Sequence, residues 1–330
     1  MPAVALPVDV ALATRVDRIP IEPGWAYEAK IDGWRATVRC GPRPRVFSRH
    51  GTDLSVAFAD VADAARSLDD AVLDGELVAL LDDGSVAFGR LQTRSGKGPR
   101  RGADFRVVLV AFDALSVGDL DLRRRPYRER RQRLLDLLQN APTVIQPVPM
   151  TTDPTEARAW VGAFGGGIEG TVCKPLESPY RSGRAASGWL KWRASHTTEA
   201  VVIGVTGRTP ATQALVLGRP DHRGRMRAVG VSLPAGAALR RELAPLLRPV
   251  EDATQARLPG TVGGLPGSEP IVYTPVRPDI VIEIEVDQDL EWGRYRHRPR
   301  LLRIRAELHP AQLTTDEDSL ERPDGFDQEP

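Results

Sequence analysis

Cysteine is nearly absent from this chain of 330 residues, which carries two, Cys40 and Cys173. Two cysteines supply neither a disulfide framework nor a zinc cluster, and a reducing cytoplasm is the simplest setting for them. The five histidines are scattered without metal-ligand spacing. His50, beside Arg49, reads as a packing or loop residue. No apolar run reaches the roughly 18 residues that suggest a membrane span. The stretch from Met1 to Ala13 lacks a basic leader and contains Asp9, so it does not resemble a signal peptide. The formal net charge is only +1, although 27% of residues are charged. Bulk charge therefore announces no nucleic-acid partner, and any basic face must be local. A Walker-type phosphate loop is missing, so Gly96-Lys97-Gly98 reads as a polar loop.

Lysine is the most informative scarcity. Four lysines stand against 41 arginines. Three of them sit in short segments that read like walls of one phosphate site: Glu28-Ala-Lys-Ile-Asp-Gly-Trp-Arg35, Ile168-Glu-Gly-Thr-Val-Cys-Lys174 and Trp189-Leu-Lys-Trp-Arg193. Where a cation need only be a cation, this chain uses arginine. Arginine stays protonated, whereas lysine can lose its proton and become a nucleophile. A random remnant of lysine in an arginine-rich composition is the bland alternative, and it accounts poorly for three lysines in such segments.

With 41% hydrophobic residues the chain can build packed cores, and its length suggests two domains. Residues 1–24 read as a proline-punctuated approach segment. Strand-like stretches broken by Gly33, Gly41 and Pro44 follow from Trp25 to Arg49. Val56–Leu68 has the spacing of a short helix. Ala71–Leu81 and Phe105–Leu115 read as buried strands. Leu122–Leu138 reads as a helix with seven arginines, a solvated face or a nucleic-acid contact. From about residue 198 the texture changes to short Val-rich runs separated by Gly and Pro, around one helix near Gly236–Leu247. That pattern suggests a small β-barrel. From Thr314 the tail is acidic and poor in apolar residues.

On a strand, residues two apart share a face. Glu28, Lys30 and Asp32 should therefore point into one cleft, with Gly33 allowing close approach of a ligand. Arg35 can return to the same cleft. Asp74 and Glu76 share a face opposite Leu73 and Leu77. Lys191 and Arg193 share a face too. Glu169 and Lys174 differ in parity and can reach one site only if the chain turns at Gly170. A lysine, a ring of cations and several carboxylates suit phosphoryl or nucleotidyl transfer. The cations would clamp phosphate oxygens, and Glu76 and Glu169 could hold a hard divalent metal. Lys30 would have to be uncharged to attack phosphorus. From a reference pKa near ~10.4, that costs roughly 4 kcal/mol around neutral pH. Neighbouring Lys174, Lys191 and Arg193 would lower this cost. A Schiff-base lysine enzyme would leave the clamp of cations and carboxylates unexplained.

Read together, these segments resemble the covalent nucleotidyltransferases, the superfamily of ATP-dependent DNA ligases, RNA ligases and capping enzymes. Lys30-Ile-Asp-Gly-Trp-Arg35 matches the KxDGxR signature. Ser48-Arg-His-Gly51, Leu73-Asp-Gly-Glu76, Phe112-Asp113, Glu169-Gly-Thr-Val-Cys-Lys174 and Trp189-Leu-Lys-Trp-Arg193 resemble the later motifs, in order, across residues 25–193. Arg294-Tyr-Arg-His297 and Arg303-Ile-Arg305 look like the last motif. The wording around Lys30 is most similar to the compact bacterial ligase C group of ATP-dependent DNA ligases. Arg193 stands where a second lysine is usual, and the last motif is matched loosely.

The resemblance implies an α+β fold. An ATP-grasp-like nucleotidyltransferase domain of antiparallel sheets and helices would span 1–197, an OB-fold barrel 198–312, and a disordered tail 313–330. It implies a lysyl-AMP intermediate on Lys30, then adenylylated DNA, then sealing of a 5′-phosphate/3′-hydroxyl nick. Glu28 would read adenine beside Ile31, with Phe112 stacked on the base. Arg35, Arg49 and Glu76 would surround ribose and phosphate. Lys174, Lys191 and Arg193 would contact the α-phosphate. Glu169 leads the metal candidates, with Glu76 and Asp32 behind it, for Mg2+ or Mn2+. The implied partner is nicked double-stranded DNA, gripped through arginine–phosphate contacts in a salt-dependent way. Other DNA-repair proteins are further candidates, and a cytoplasmic monomer at the nucleoid is expected. An RNA ligase, a capping guanylyltransferase, and a catalytically silent nucleic-acid binder are the alternatives.

Overall fold

The computed structural model describes residues 3–94, 104–163, 167–207, 214–221, 223–251, 254–258, 269–286, 293–295 and 297–313. Gly96-Lys97-Gly98, the acidic tail and Arg296 of the last motif lie outside them. The chain divides into two compact units, Met1–Ala194 and Ser195–Pro330. Strands dominate and the helices are short, an α+β composition. No helix among the described residues is long and apolar enough to cross a membrane.

The first unit contains β1 (Thr14–Arg15), β2 (Trp25–Ile31), β3 (Trp34–Arg39), β4 (Arg45–Ser48), α1 (Ala59–Ala65), β5 (Ala71–Leu81) and α2 (Phe88–Gln92). There follow β6 (Phe105–Val117), β7 (Leu120–Asp121), α3 (Tyr127–Leu138), β8 (Ile145–Pro147) and β9 (Met150–Thr151). It closes with α4 (Pro154–Ala159), β10 (Ile168–Pro175), α5 (Arg184–Ser187) and β11 (Leu190–Arg193). Two sheets result. One has the order β1-β11-β10-β2-β9; the other runs β4-β3-β5-β6-β7, with β8 added beside β6. Consecutive strands β2 and β3 thus belong to different sheets, joined at Asp32-Gly33.

Apolar side chains bury both faces of the second sheet. Leu73, Leu77, Leu109 and Ala111 pack under Phe58, Val61 and Ala65 of the α1 region and Leu134 of α3. On the opposite face, Val78, Val108 and Val110 meet Ala29 and Ile168 of the first sheet. Burial on both faces explains why β5 reads as a nearly continuous apolar run. It also leaves Asp74 and Glu76, on the face away from Leu73 and Leu77, between the two sheets.

Gly33 is required by packing. A Cβ there would lie 2.2 Å from the Leu77 carbonyl oxygen and 2.8 Å from Glu76 Cγ. The neighbour that needs the glycine is β5, and Gly33 also lines the cleft of this unit.

The arginine-rich helix is shorter than its pattern suggests. It begins at Tyr127, after Pro126, whose ring restricts backbone φ at the helix start. Its arginines are not one solvated face. Arg130 is fully buried and makes a bidentate pair with Asp113 of β6, at 2.7 and 3.0 Å. Arg131 is buried and donates to the Val148 carbonyl at 2.7 Å. Arg124, Arg128 and Arg133 remain exposed. The helix expected over Val56–Leu68 is likewise trimmed to α1, and β6 runs on to Val117, where it pairs with β7.

The second unit holds β12 (His196–Thr206), β13 (Ala214–Pro220), β14 (Met226–Val231), α6 (Ala237–Leu243), β15 (Ala256–Leu258), β16 (Ile271–Pro275), β17 (Val281–Val286) and β18 (Arg300–Ile304). These strands form one seven-stranded sheet in which β12 pairs with β13, β16 and β17. Val202, Leu217, Val229, Ile282 and Ile284 form its core with Leu239 of α6. Of the last-motif arginines, Arg303 pairs with Glu283 at 2.8 Å, and Arg305 pairs with Glu199 and, at 2.6 Å, with Glu307.

The Arg130–Asp113 pair ties α3 to the second sheet, and its loss defines a test. Asp113→Ala leaves a buried guanidinium without its counter-charge, expected to cost about 3–5 kcal/mol. Urea unfolding should show a lower midpoint with little change in slope.

Candidate active site

Register explains how the three lysine segments meet. Along the first sheet, Lys30 of β2 lies opposite Gly170 of β10, and Gly170 lies opposite Arg193 of β11. One step along, Glu28 pairs with Val172, and Val172 with Lys191. Residues directly opposite one another share a face, so Glu28, Lys30, Lys191 and Arg193 project to the same side. Gly170 cannot carry a side chain, since a Cβ would lie 2.1 Å from the Trp192 carbonyl oxygen.

The parity conflict between Glu169 and Lys174 is resolved by an irregular register, not by a turn. Between Ile168 and Gly170, β10 advances two residues while β2 advances one. Glu169 is the extra residue of a β-bulge, which re-aims its side chain. Its carboxylate accepts from Lys30 Nζ and lies 3.0 Å from an Arg193 guanidinium nitrogen. Glu169 is fully enclosed, while Lys30 and Arg193 keep 17% and 23% side-chain exposure. Its second oxygen, Oε2, is buried without a hydrogen-bond partner among the described residues.

Glu28, Lys30, Lys191 and Arg193 line a cleft of about 310 Å³ in the first unit. Lys30, Lys191, Arg193 and Arg184 bring positive charge to it, and Val110, Phe112, Val148, Val172 and Trp189 bring apolar surface. Ile31, Asp32, Arg35, Arg49 and Glu76 also line it. The pKa of Lys191 is lowered by burial first, and then by Lys30, Arg193 and Arg184.

Lys174 and Glu28 form the buried end. Lys174 is wholly buried, with Nζ 2.8 Å from Glu28 Oε2 and 3.0 Å from Oε1, and it donates to the Phe112 carbonyl at 2.9 Å. Asp113 lies 3.7 Å away. The ammonium also sits 4.0 Å from the centroid of the Trp189 ring, with Phe112 and Tyr127 within 5 Å. Burial pushes Glu28 up and Lys174 down, and their mutual attraction opposes both shifts. In this arrangement the ammonium faces Glu28 and the aromatic rings, not the half-buried Lys30, Lys191 and Arg193.

Arg35 makes a bidentate pair with Asp74, at 3.0 and 2.6 Å, and donates to the Ala11 carbonyl at 2.6 Å. Its guanidinium carbon lies 5.0 Å from the Phe112 ring centroid. Tyr180 donates to the same Asp74 at 2.6 Å. Glu76 is pushed up to about 7, chiefly by burial, with Lys30 and Arg35 pulling the other way.

The three metal candidates do not form a protein-only cage. No group of three ligating side chains converges among the described residues. The buried, partnerless Glu169 Oε2 still fits an ion of the magnesium type, which takes one or two carboxylates beside waters and phosphate oxygens.

Sequence reasoning missed Arg184, Tyr127, Tyr180 and the approach segment. Arg184 is one of many arginines, so nothing marked it. Leu12 and Ala13 line the cleft because β1 runs parallel to β11.

A cleft with an apolar, carboxylate-ended side and several cations suits a nucleotide polyphosphate. The sequence model described as "ATP dependent DNA ligase domain" matches residues 8–193. DNA ligase C1 of Mycolicibacterium smegmatis is 28% identical over 337 residues, covering 97% of this chain and 96% of that protein. DNA ligase C2 of the same organism is 30% identical over 335 residues, covering 93% of each. Among solved structures, the ligase domain from M. tuberculosis LigD gives a TM-score of 0.51 at 26% identity, over 93% of this chain and 98% of that one. The chain belongs to the ATP-dependent DNA ligase family.

Glu76 gives a pH test with a definite sign. Its folded pKa, about 7, exceeds the ordinary value of 4.5. The folded state therefore holds the proton more tightly, and stability should fall as pH rises from the lower value to the higher. Glu76→Gln should flatten that part of the curve, followed by urea unfolding across the range.

Proposed function

We propose that the first unit is an ATP-grasp-like adenylation domain and the second an OB-fold domain, together sealing 5′-phosphate/3′-hydroxyl nicks in DNA. The observation that carries this reading is the row Lys30–Gly170–Arg193, bridged by Glu169 beside an apolar slot. One lysine there can act as a nucleophile while other cations hold phosphate.

In the first transfer, Lys30 Nζ bonds to the α-phosphorus of ATP and the bond to the β-phosphate oxygen breaks, releasing pyrophosphate. The amine needs its lone pair, so its ion pair with Glu169 opens and a proton leaves; Glu169, in contact, is placed to accept it. Lys191, Arg193 and Arg184 hold the phosphates, and their charge stabilises what develops on the equatorial oxygens. Arg35, held by Asp74, and Arg49 face ribose and phosphate. Phe112 stacks on the base, and Glu28 and Ile31 lie at its edge. A divalent ion, Mg2+ or Mn2+, would sit at Glu169 Oε2 with Glu76 nearby and neutralise phosphate charge. In the second transfer a DNA 5′-phosphate oxygen takes the adenylyl group from Lys30. In the third, the 3′-hydroxyl attacks the adenylylated phosphate and AMP leaves.

Lys174 is read here at the base end of the cleft. Its contacts support a role in ordering Glu28 at the base end. Nicked double-stranded DNA is the partner, held through exposed arginines such as Arg124 and Arg128. A role in DNA repair, in the cytoplasm, completes this reading.

Incubation with α-labelled ATP and a divalent metal should label the protein covalently, and a chase with nicked DNA should remove the label. Lys30→Ala should take none. Label persisting in that variant would reject Lys30 as the nucleophile. A chase that succeeds only with RNA on the 3′-hydroxyl side would indicate an RNA-joining enzyme.

A further inference from the structure

The geometry points to Tyr127 as a positioning residue that sets the nucleobase preference, by orienting Glu28 so that one lone pair of its carboxylate faces the base. This rests on the reading of Glu28 as the group at the adenine edge.

Tyr127 opens α3, is wholly buried, and donates its hydroxyl to Glu28 Oε1 at 2.6 Å. Lys174 donates to the same oxygen at 3.0 Å. A carboxylate offers about four acceptor sites, two on each oxygen. Oε1 is therefore saturated by two donors. Among the described residues, Oε2 has Lys174 alone, at 2.8 Å, and keeps an acceptor site.

Around that site the cleft is apolar, with Phe112, Val172 and Trp189. A group meeting the free acceptor must be a donor. The exocyclic amine of adenine is one. The 6-oxo group of hypoxanthine or guanine is an acceptor, and two acceptors facing each other away from water are penalised.

Lys174 alone could not impose this choice. Its ammonium contacts both oxygens of Glu28, at 3.0 and 2.8 Å, and so does not by itself distinguish them. The terminal torsion of a glutamate is broad, so without a further contact the plane of the carboxylate can rotate. The phenol is rigid by comparison. The Arg130 guanidinium carbon lies 5.7 Å and Lys174 Nζ 4.9 Å from its ring centroid. Burial and the adjacent Glu28 charge raise the Tyr127 pKa well above its usual value, so the hydroxyl stays a donor.

The test compares self-adenylylation of the full chain and Tyr127→Phe with three nucleotides. ATP carries an amine at position 6, inosine triphosphate an oxo group, and purine riboside triphosphate only hydrogen. Tyr127→Phe keeps the ring and removes one donor. We expect its KM for ATP to rise roughly ten- to a hundredfold, the range for loss of one hydrogen bond to a charged group. The rate at saturating ATP should change less than the KM, and the preference for ATP over inosine triphosphate should shrink by a similar factor. Purine riboside triphosphate, which offers Glu28 nothing, should be used almost equally by both proteins, which also reports an intact fold.

Equal losses with all three nucleotides would overturn the proposal and leave Tyr127 as a prop for α3. An unchanged preference for ATP in the variant would overturn it too. A native protein indifferent to the group at position 6 would instead remove Glu28 from the base edge, and the underlying reading would fail first.

Discussion

The first unit is organised around one carboxylate that cannot leave its place. Glu169 is enclosed, grips Lys30 and Arg193, and reaches both because the residue between them in the sheet is glycine. An enclosed anion is tolerable only with counter-charges at hand. Two half-open cations are therefore held at the mouth of a cleft, where their charges also bear on Lys191. The arrangement is electrostatically tense: Lys30, Lys191 and Arg193 crowd one another beside Glu169, and Glu76 lies near enough to feel Lys30 and Glu169. A ligand carrying several negative charges would relieve that tension, which is why such a site favours a polyphosphate over a neutral metabolite.

Behind this outer group lies a second, drier one. Arg130, Asp113, Lys174, Glu28 and Tyr127 form a buried chain of charged and polar groups running from α3 to the floor of the cleft. Buried ion pairs of this kind contribute little net stability, because desolvation offsets much of the attraction. Their effect is to specify geometry. Each member has few acceptable positions once its neighbours are placed, so the carboxylate of Glu28 has a fixed setting. Asp74 does the same for Arg35, with Tyr180 as a second donor. The two acidic residues enclosed beneath the cleft, Asp74 and Asp113, thus serve as foundations for the groups that face it.

Much of this was legible in the residues. The alternation in Glu28-Ala-Lys30 and Lys191-Trp-Arg193 placed the right side chains on one face, and the apolar runs of β5 and β6 were recognisable as buried strands. The irregular points were not legible. An extra residue at Glu169 inverts parity, and only the pairing of β10 with β2 reveals it. Gly33 looked like a concession to a ligand, yet it accommodates a carbonyl of β5, a neighbour more than forty residues away in the chain. Arg130 looked like one arginine of a solvated helix. Its burial depends on Asp113 standing opposite, which helical periodicity cannot report.

What the sequence determined alone was the chemistry available: few lysines among many arginines, carboxylates at alternating positions, and glycines where a side chain would intrude. Those are local properties, set by residue identity and by the two-residue repeat of a strand. Tertiary structure decided which of these groups are neighbours. It brought the approach segment alongside β11, set Arg184 at the cleft, turned Lys174 toward Glu28, and supplied Tyr127 as a donor. Each of those contacts joins residues distant in the chain, and their energies depend on burial and on shared partners. Neither quantity exists until the sheets have closed on one another.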